Sequence, residues 1–171
     1  MKEALAILAL MLCTAFVSAQ SPSEQEITTE IQQTLAIVKP EAVAANHLGD
    51  IITRIEAVGL RIVGAKMTHL SEQQAQEFYS EHREKPFFDD LVQYMTSGPV
   101  VAMTLEGPDA IIKYRGLMGA TNPAEAAPNT LRATYGTSLS ENAVHGSDSV
   151  SSARREVAFF FGPTDLCPRT R

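Results

Sequence analysis

The run Leu35-Ala36-Ile37-Val38-Lys39-Pro40 decides how the surrounding sequence is interpreted. Four consecutive apolar residues stopped by a proline predict a central strand. Apolar residues then recur at helical spacing from Leu48 to Val58, and this stripe ends at Gly59. A second strand is expected over Arg61 to Leu70, which is rich in β-branched and apolar residues.

Predicted helices and strands alternate through the rest of the sequence. A capping box of Ser71 and Gln74 opens one helix, and the apolar stripe Phe88 to Met95 predicts another. A strand is expected over Val100 to Leu105, followed by a helix capped by Asp109. A short helix over Ser149 to Arg155 and a last buried strand over Val157 to Phe161 end the series. Thr121 to Ser140 is predicted to be a long irregular loop, and long loops in compact domains usually carry function. This order predicts an α+β domain, a ferredoxin-like βαββαβ sandwich with additional helices.

The composition is that of a globular chain without a basic surface. The chain has 171 residues, a hydrophobic content of 44% and a net charge of −6. Because it has no basic stripe, we expect no nucleic-acid binding, although a few cations can still converge on a phosphate group. Cys13 and Cys167 are too few for a disulfide scaffold, and neither has the spacing of a zinc site.

Two segments precede the predicted domain. Met1 to Ala19 combines a lysine near its start, an apolar run and small residues before Gln20. This is the layout of a secretory signal peptide, and the segment is short for a stable membrane span. Gln20 to Gln33 is polar and is predicted to be a linker, so we expect the domain to occupy Thr34 to Arg171.

The most polar run in the second half of the chain is Asn142-Ala143-Val144-His145-Gly146-Ser147-Asp148-Ser149, which we predict to be a loop. A histidine on a loop can be a nucleophile, a general base, a metal ligand or an inert surface residue, and most single histidines are inert. Gly146 permits close approach of the backbone. The residues that follow it are able to orient the ring or to cap the next helix.

This run resembles the active-site signature of nucleoside diphosphate kinases. Further motifs carry the likeness in the same order, namely Leu35-Ala36-Ile37-Val38-Lys39-Pro40, Phe78-Tyr79, Lys85-Pro86-Phe87-Phe88, Met95-Thr96-Ser97-Gly98-Pro99-Val100, Gly119-Ala120-Thr121-Asn122-Pro123-Ala124 and the tail Cys167-Pro168-Arg169-Thr170-Arg171, which is similar to bacterial members. One departure is Thr134, which stands where such family members commonly have an aspartate.

The resemblance implies a ping-pong reaction in which a nucleoside triphosphate such as ATP gives its γ-phosphoryl group to His145. A nucleoside diphosphate then removes it. Nδ1 would attack while Glu156 holds the other ring nitrogen, with Ser147 nearby. The remaining matched residues are Lys39, Arg115, Thr121, Arg132 and Asn142 for the phosphates and sugar, Tyr79 as a hydroxyl close to the histidine, and Phe87 as the ring that stacks on the base. Taken singly, each also fits an ordinary core or solvated position.

The resemblance also implies Mg²⁺ carried by the nucleotide phosphates, because the sequence has no dense carboxylate cluster to hold it. It implies a homo-oligomer, and the tail favours a tetramer over a hexamer. Since the reaction needs a nucleotide pool, the sequence narrowly favours a cytoplasmic location, with export through Met1 to Ala19 as the alternative. The alternative function is a non-catalytic or exported interaction protein on the same fold.

Overall fold

Four strands in residues 30–168, the part of the chain that this computed structural model describes, form one antiparallel sheet. They are β1 (Ile31–Val38), β2 (Arg61–Thr68), β3 (Val100–Pro108) and β4 (Val144–Gly146). Their order across the sheet is β2-β3-β1-β4, and every neighbouring pair is antiparallel. The fold is therefore the ferredoxin-like α+β arrangement that the sequence predicts.

Helices fill the connections between these strands. The α-helices between residues 30 and 168 are α1 (Pro40–Ala44), α2 (Leu48–Ala57), α3 (Glu72–Phe78), α4 (Phe88–Met95), α5 (Ala110–Met118), α6 (Leu131–Tyr135) and α7 (Val150–Phe160). The same residues also contain two short 3₁₀ helices, Ser80–His82 and Pro123–Glu125. The predicted capping box opens α3, because Gln74 N donates to Ser71 Oγ and Ser71 N donates to Gln74 Oε1.

Strand β1 lies inside the sheet and is covered on both faces. Ala36 and Val38 pack into the cluster formed with α2 and α5, whereas Leu35 and Ile37 pack into the cluster formed with α3, α4 and α7. This double burial explains the continuous apolar run. The strand begins at Ile31, earlier than predicted and within the segment assigned to the linker, because its first residues continue the ladder with β3.

The C-terminal part of the prediction is wrong in two places. Val157 to Phe160 belongs to α7 rather than to a strand, and Ser149 opens that helix by accepting a hydrogen bond from Ser152 N. The apolar run was ambiguous because one face of a helix buries it as well as a strand would. The fourth strand is instead β4, which contains His145 and lies in the run that the sequence predicts to be a loop.

Two further expectations need correction. The region from Thr121 to Ser140 is not wholly irregular, since Thr130 accepts a hydrogen bond from Ala133 N and opens α6. Asp109 precedes α5 as predicted, but its backbone is left-handed, with φ 53°, and its side chain makes no capping hydrogen bond. Sequence identified the N-cap position but not its left-handed backbone conformation.

The predicted leader Met1 to Ala19 lies outside the described residues, as do most of the linker and Arg169 to Arg171. Between residues 30 and 168, no helix combines the length and the apolar character needed to cross a membrane.

Candidate active site

A cavity of about 480 Å³ opens beside β4 and is bordered by the segments before and after it. The nine residues that the sequence nominates all line this cavity. They are Lys39, Tyr79, Phe87, Arg115, Thr121, Arg132, Asn142, His145 and Glu156. Because these residues are scattered widely along the chain, the fold rather than local sequence brings them together.

His145 takes its direction from β4. It pairs with Ile37 of β1, and its two strand neighbours are buried, so the alternation of a strand turns the imidazole the other way, into the cavity. Gly146 has no space for a side chain, since a Cβ atom there would lie 2.7 Å from the Tyr114 ring. The predicted close approach at this glycine is therefore confirmed.

Glu156 determines which nitrogen of His145 is free. Its Oε2 lies 2.9 Å from His145 Nε2 and also accepts a hydrogen bond of 2.8 Å from Ser147 Oγ. An ionised carboxylate only accepts, so Nε2 carries the hydrogen and donates it. The lone pair of the neutral ring is then on Nδ1, which has no hydrogen-bond partner among the described residues. This is the tautomer that a nucleophilic Nδ1 requires.

The environment keeps Glu156 ionised. Burial by itself raises the pKa of this carboxyl, but the hydrogen bond and charge of His145 and the hydroxyl of Ser147 outweigh it, and the net pKa is lowered. Ser147 is itself fixed, because its Oγ accepts a hydrogen bond from Leu35 N. Arg155 adds a cation 3.6 Å from Glu156 Oε1.

A buried lysine contacts Asn142, three residues before His145. Lys39 is 6% exposed, and its Nζ donates to Asn142 Oδ1 over 2.6 Å. Burial, which the charge of Glu41 only partly offsets, lowers the pKa of Lys39 to about 8. Asn142 in turn donates to the carbonyl groups of Thr121 and Leu139, which fixes its amide orientation.

The two arginines of the cavity differ in their surroundings. Arg132 is buried and donates to the carbonyl oxygens of Gly119 and Val144, both over 3.1 Å. Burial lowers the pKa of Arg132, but an arginine remains charged at neutral pH. Arg115 is exposed on α5, and its side chain makes no hydrogen bond within residues 30–168. Arg132 therefore also supports the structure, whereas Arg115 is available to an anion.

Tyr79 presents a buried hydroxyl without a partner among the described residues. Its ring meets the His145 ring edge-on, with the centroids 6.0 Å apart. Burial raises the pKa of Tyr79, so the group stays protonated and is able to donate. Such a buried hydroxyl is costly to leave unpaired, and a ligand oxygen in the cavity would satisfy it.

The cavity mouth has two exposed apolar side chains. Phe87 is 48% exposed and Leu139 is 61% exposed. Sequence reasoning missed Leu139, although a lone leucine within a polar stretch is a usable signal. His82 also lines the cavity, and its ring centroid lies 5.8 Å from that of Phe87.

Thr134, the departure noted in the sequence, lies on the exposed side of α6. Its hydroxyl accepts a hydrogen bond from Arg54 over 3.2 Å and donates to the Thr130 carbonyl over 2.7 Å. Thr134 does not line the cavity.

The donor set of the cavity suits phosphate oxygens. Lys39, Arg115 and Arg132 supply positive charge, and Tyr79 supplies a hydroxyl. Between residues 30 and 168, no group of three or more acidic, histidine or cysteine side chains is arranged to hold a metal ion.

Comparison with known proteins identifies the family of the chain. The chain matches the family model described as nucleoside diphosphate kinase over residues 32–166, which is most of its length. The chain belongs to the nucleoside diphosphate kinase family. Members of this family are kinases that bind nucleotides, which agrees with a cavity of cationic and aromatic side chains.

Solved structures of nucleoside diphosphate kinases agree with the family match. The Aquifex aeolicus enzyme is 45% identical, with a TM-score of 0.79, and the match covers 80% of this chain and 99% of that one. A halophilic enzyme from Halobacterium salinarum, solved in complex with CDP, is 46% identical with a TM-score of 0.80. That match covers 83% of this chain and 95% of the other.

Proposed function

We propose that the chain exchanges phosphoryl groups between nucleotides by a ping-pong mechanism through a phosphohistidine at His145. The observation that carries the proposal is the contact between His145 Nε2 and the Glu156 carboxylate. It favours the tautomer with a lone pair on Nδ1, on the residue that β4 turns into the cavity. Neutral imidazole is nucleophilic near pH 7.

In the first half-reaction, Nδ1 of His145 attacks the γ-phosphorus, and the bond from that phosphorus to the bridging oxygen of the β-phosphate breaks. The nucleoside diphosphate leaves with the bond electrons. The ring becomes cationic as the N–P bond forms, and the Glu156 carboxylate stabilises that charge through Nε2–H. A second nucleoside diphosphate reverses the same step, because one of its β-phosphate oxygens attacks the phosphohistidine.

Cations around the transferred group lower the barrier. We assign Lys39, Arg115 and Arg132 to the phosphate oxygens, because transfer through a loose transition state depends on positioning and charge stabilisation. Thr121 and Asn142 are assigned to the phosphate and sugar. Tyr79 would donate its otherwise unpaired hydroxyl near the histidine.

The base is assigned to the apolar mouth of the cavity, against Phe87 and with Leu139 nearby. Stacking on an aromatic ring provides affinity with little base identity, because every base has a π-face. This assignment suits an enzyme that accepts several nucleotides.

Mg²⁺ is proposed to arrive with the nucleotide, bound to the phosphate oxygens. When bound, it neutralises phosphate charge and fixes phosphate geometry. The cationic donor set of the cavity fits the phosphates of such a complex.

Labelling with [γ-³²P]ATP tests the proposal. The wild-type protein should take up label in an acid-labile, base-stable bond and pass it to a nucleoside diphosphate. His145→Asn should abolish uptake without a large change in melting temperature, whereas His69→Asn, outside the cavity, should label normally. Substantial transfer by His145→Asn would remove His145 from its role, and a wild-type protein that takes up no label would favour a non-catalytic interaction protein.

For the assembly we propose a homo-oligomer, with a tetramer favoured over a hexamer on the resemblance of the tail after Cys167. Sedimentation equilibrium on the purified protein, with and without that tail, distinguishes the two masses. A hexamer, or a monomer, would contradict the proposal.

For the location we propose the cytoplasm, because the reaction requires a nucleotide pool, with export through Met1 to Ala19 as the alternative. Cell fractionation combined with mass spectrometry of the mature N-terminus decides between them. A protein that begins at Gln20 in an extracytoplasmic fraction would overturn the cytoplasmic proposal.

A further inference from the structure

The backbone just before the nucleophile is in a disfavoured conformation. Ala143 is fully buried and has φ 66°, in the left-handed region that residues with a side chain rarely occupy. Val144 N donates to the Asn142 carbonyl over 2.8 Å, which closes a three-residue turn around Ala143. A turn of this size with a positive central φ is rare and strained, so other contacts must hold it.

Those contacts come from one segment that directly follows β1. Ala143 N donates to Glu41 Oε1 over 2.7 Å, and the Ala143 carbonyl accepts from Lys39 N over 2.9 Å. Both polar groups of the strained residue are therefore satisfied by residues 39–41. Strain of this kind persists only where the surroundings over-determine it.

The second carboxylate oxygen of Glu41 extends this contact to the cavity wall. It accepts a hydrogen bond from the Tyr94 hydroxyl, and Tyr94 lines the cavity. The Tyr94 ring centroid lies 5.3 Å from Lys39 Nζ. The charge of Glu41 also favours the protonated form of Lys39. One side chain thus contacts the turn before the nucleophile and orders the surroundings of the buried lysine.

We propose that Glu41 is a positioning residue for phosphoryl transfer, which keeps the turn at Ala143 closed and so fixes His145 relative to Lys39 and Asn142. The inference rests on the proposed phosphohistidine mechanism. Glu41 does not line the cavity, so its effect passes through the backbone of Ala143. Reactions that depend on geometry lose rate steeply when a group shifts by about 1 Å.

The turn itself offers a specific test. Glycine adopts a positive φ without steric cost, so Ala143→Gly should keep the turn closed with less help from Glu41. We expect Glu41→Ala to slow single-turnover phosphorylation of His145 at saturating ATP by about tenfold. In an Ala143→Gly background, the same substitution should cost only about twofold to threefold, since the glycine turn needs less support.

Two readouts separate positioning from loss of stability. Glu41→Ala should lower kcat more than it raises the KM for ATP, because the base-stacking surface is untouched. Glu41→Gln retains an oxygen that accepts from Ala143 N and should recover most of the rate. Glu72→Ala, which removes an exposed carboxylate on α3, is the matched control and should leave the rate unchanged.

Three results would overturn the inference. They are full single-turnover activity in Glu41→Ala, an equal loss of rate with and without the Ala143→Gly substitution, and a change confined to KM. If Glu41→Ala does not fold, the comparison of Glu41→Gln in the two backgrounds decides, and absence of any coupling counts against the inference. A wild-type protein that takes up no label would instead overturn the proposed function, and the inference with it.

Discussion

Lys39 and Asn142, which are 103 residues apart in the sequence, are joined by a hydrogen bond of 2.6 Å from Nζ to Oδ1. The bond joins a buried ammonium group to the segment that precedes His145, in a site where burial lowers the pKa of Lys39 to about 8. The charge that we propose for phosphate binding therefore changes near physiological pH.

The KM for ATP should rise as pH increases through about 8, because Lys39 loses its proton there. Bound phosphates favour the charged form, so nucleotide binding at a pH of about 8.5 should take up a proton. Isothermal titration calorimetry in two buffers of different ionisation enthalpy measures this uptake. Lys39→Arg, which stays charged across the range, should bind without it.

The stability of the ligand-free protein should follow the opposite trend. The folded pKa of Lys39 lies below its ordinary value of 10.5, so the unfolded chain binds more protons between pH 8 and 10.5. The contribution of this residue to the free energy of unfolding therefore rises with pH through that window. Urea unfolding of wild type and Lys39→Met at about pH 7 and about pH 9.5 checks the sign, and a larger relative stability of wild type at the lower pH would contradict it.

Glu156→Gln should slow phosphorylation of His145 by about tenfold. The neutral amide still accepts from Nε2–H, but loss of the charge weakens the hydrogen bond by about 1.4 kcal/mol, which corresponds to about tenfold in rate. Rapid-quench measurement of the first turnover isolates this step. An unchanged rate would show that the carboxylate charge does not stabilise the ring during transfer.

Arg115→Ala and Arg132→Ala should both slow transfer, but only the second should also destabilise the fold. Arg132 satisfies the carbonyls of Gly119 and Val144, and leaving such groups unpaired should cost about 2 kcal/mol or more. Arg115 has no such contacts in the described region. Steady-state kinetics and thermal melting of both variants test the distinction, and equal melting temperatures would refute it.

Phe87→Ala should raise the KM for ATP by about tenfold with little effect on kcat, because stacking is present in both the ground state and the transition state. Leu139→Ala should act in the same direction but less strongly, since it removes an apolar contact without a π-face. Steady-state kinetics on the two variants measures both constants. A fall in kcat alone for Phe87→Ala would place the ring near the chemistry instead of the base.

The nine residues nominated from the sequence line one cavity, whereas some of the elements around them were predicted wrongly. The residues were nominated by the resemblance of whole motifs, which does not depend on the secondary structure of each motif. The apolar run from Val157 to Phe161 was misassigned because burial alone does not distinguish a helix face from a strand. Strand β4 was missed since its three residues lack any apolar alternation and depend on pairing with β1.

The contacts that hold the site together could not be predicted from the sequence, for a different reason. The bonds from Ala143 to Glu41 and from Lys39 to Asn142 join residues more than a hundred positions apart. No local pattern reports such a pairing. Leu139 differs, because a lone leucine within a polar stretch is a local signal, although its position at the cavity mouth depends on how that stretch folds.

The late position of β4 in the chain has a consequence for synthesis. Until residues 144–146 emerge from the ribosome, one side of β1 lacks the strand that completes it. A nascent chain that has already paired β1 with β3 therefore presents an open, strongly apolar sheet edge, which is prone to pair with other chains. The strand that covers this edge also contains His145, so the pairing that covers the edge is the same pairing that places the proposed nucleophile in the cavity.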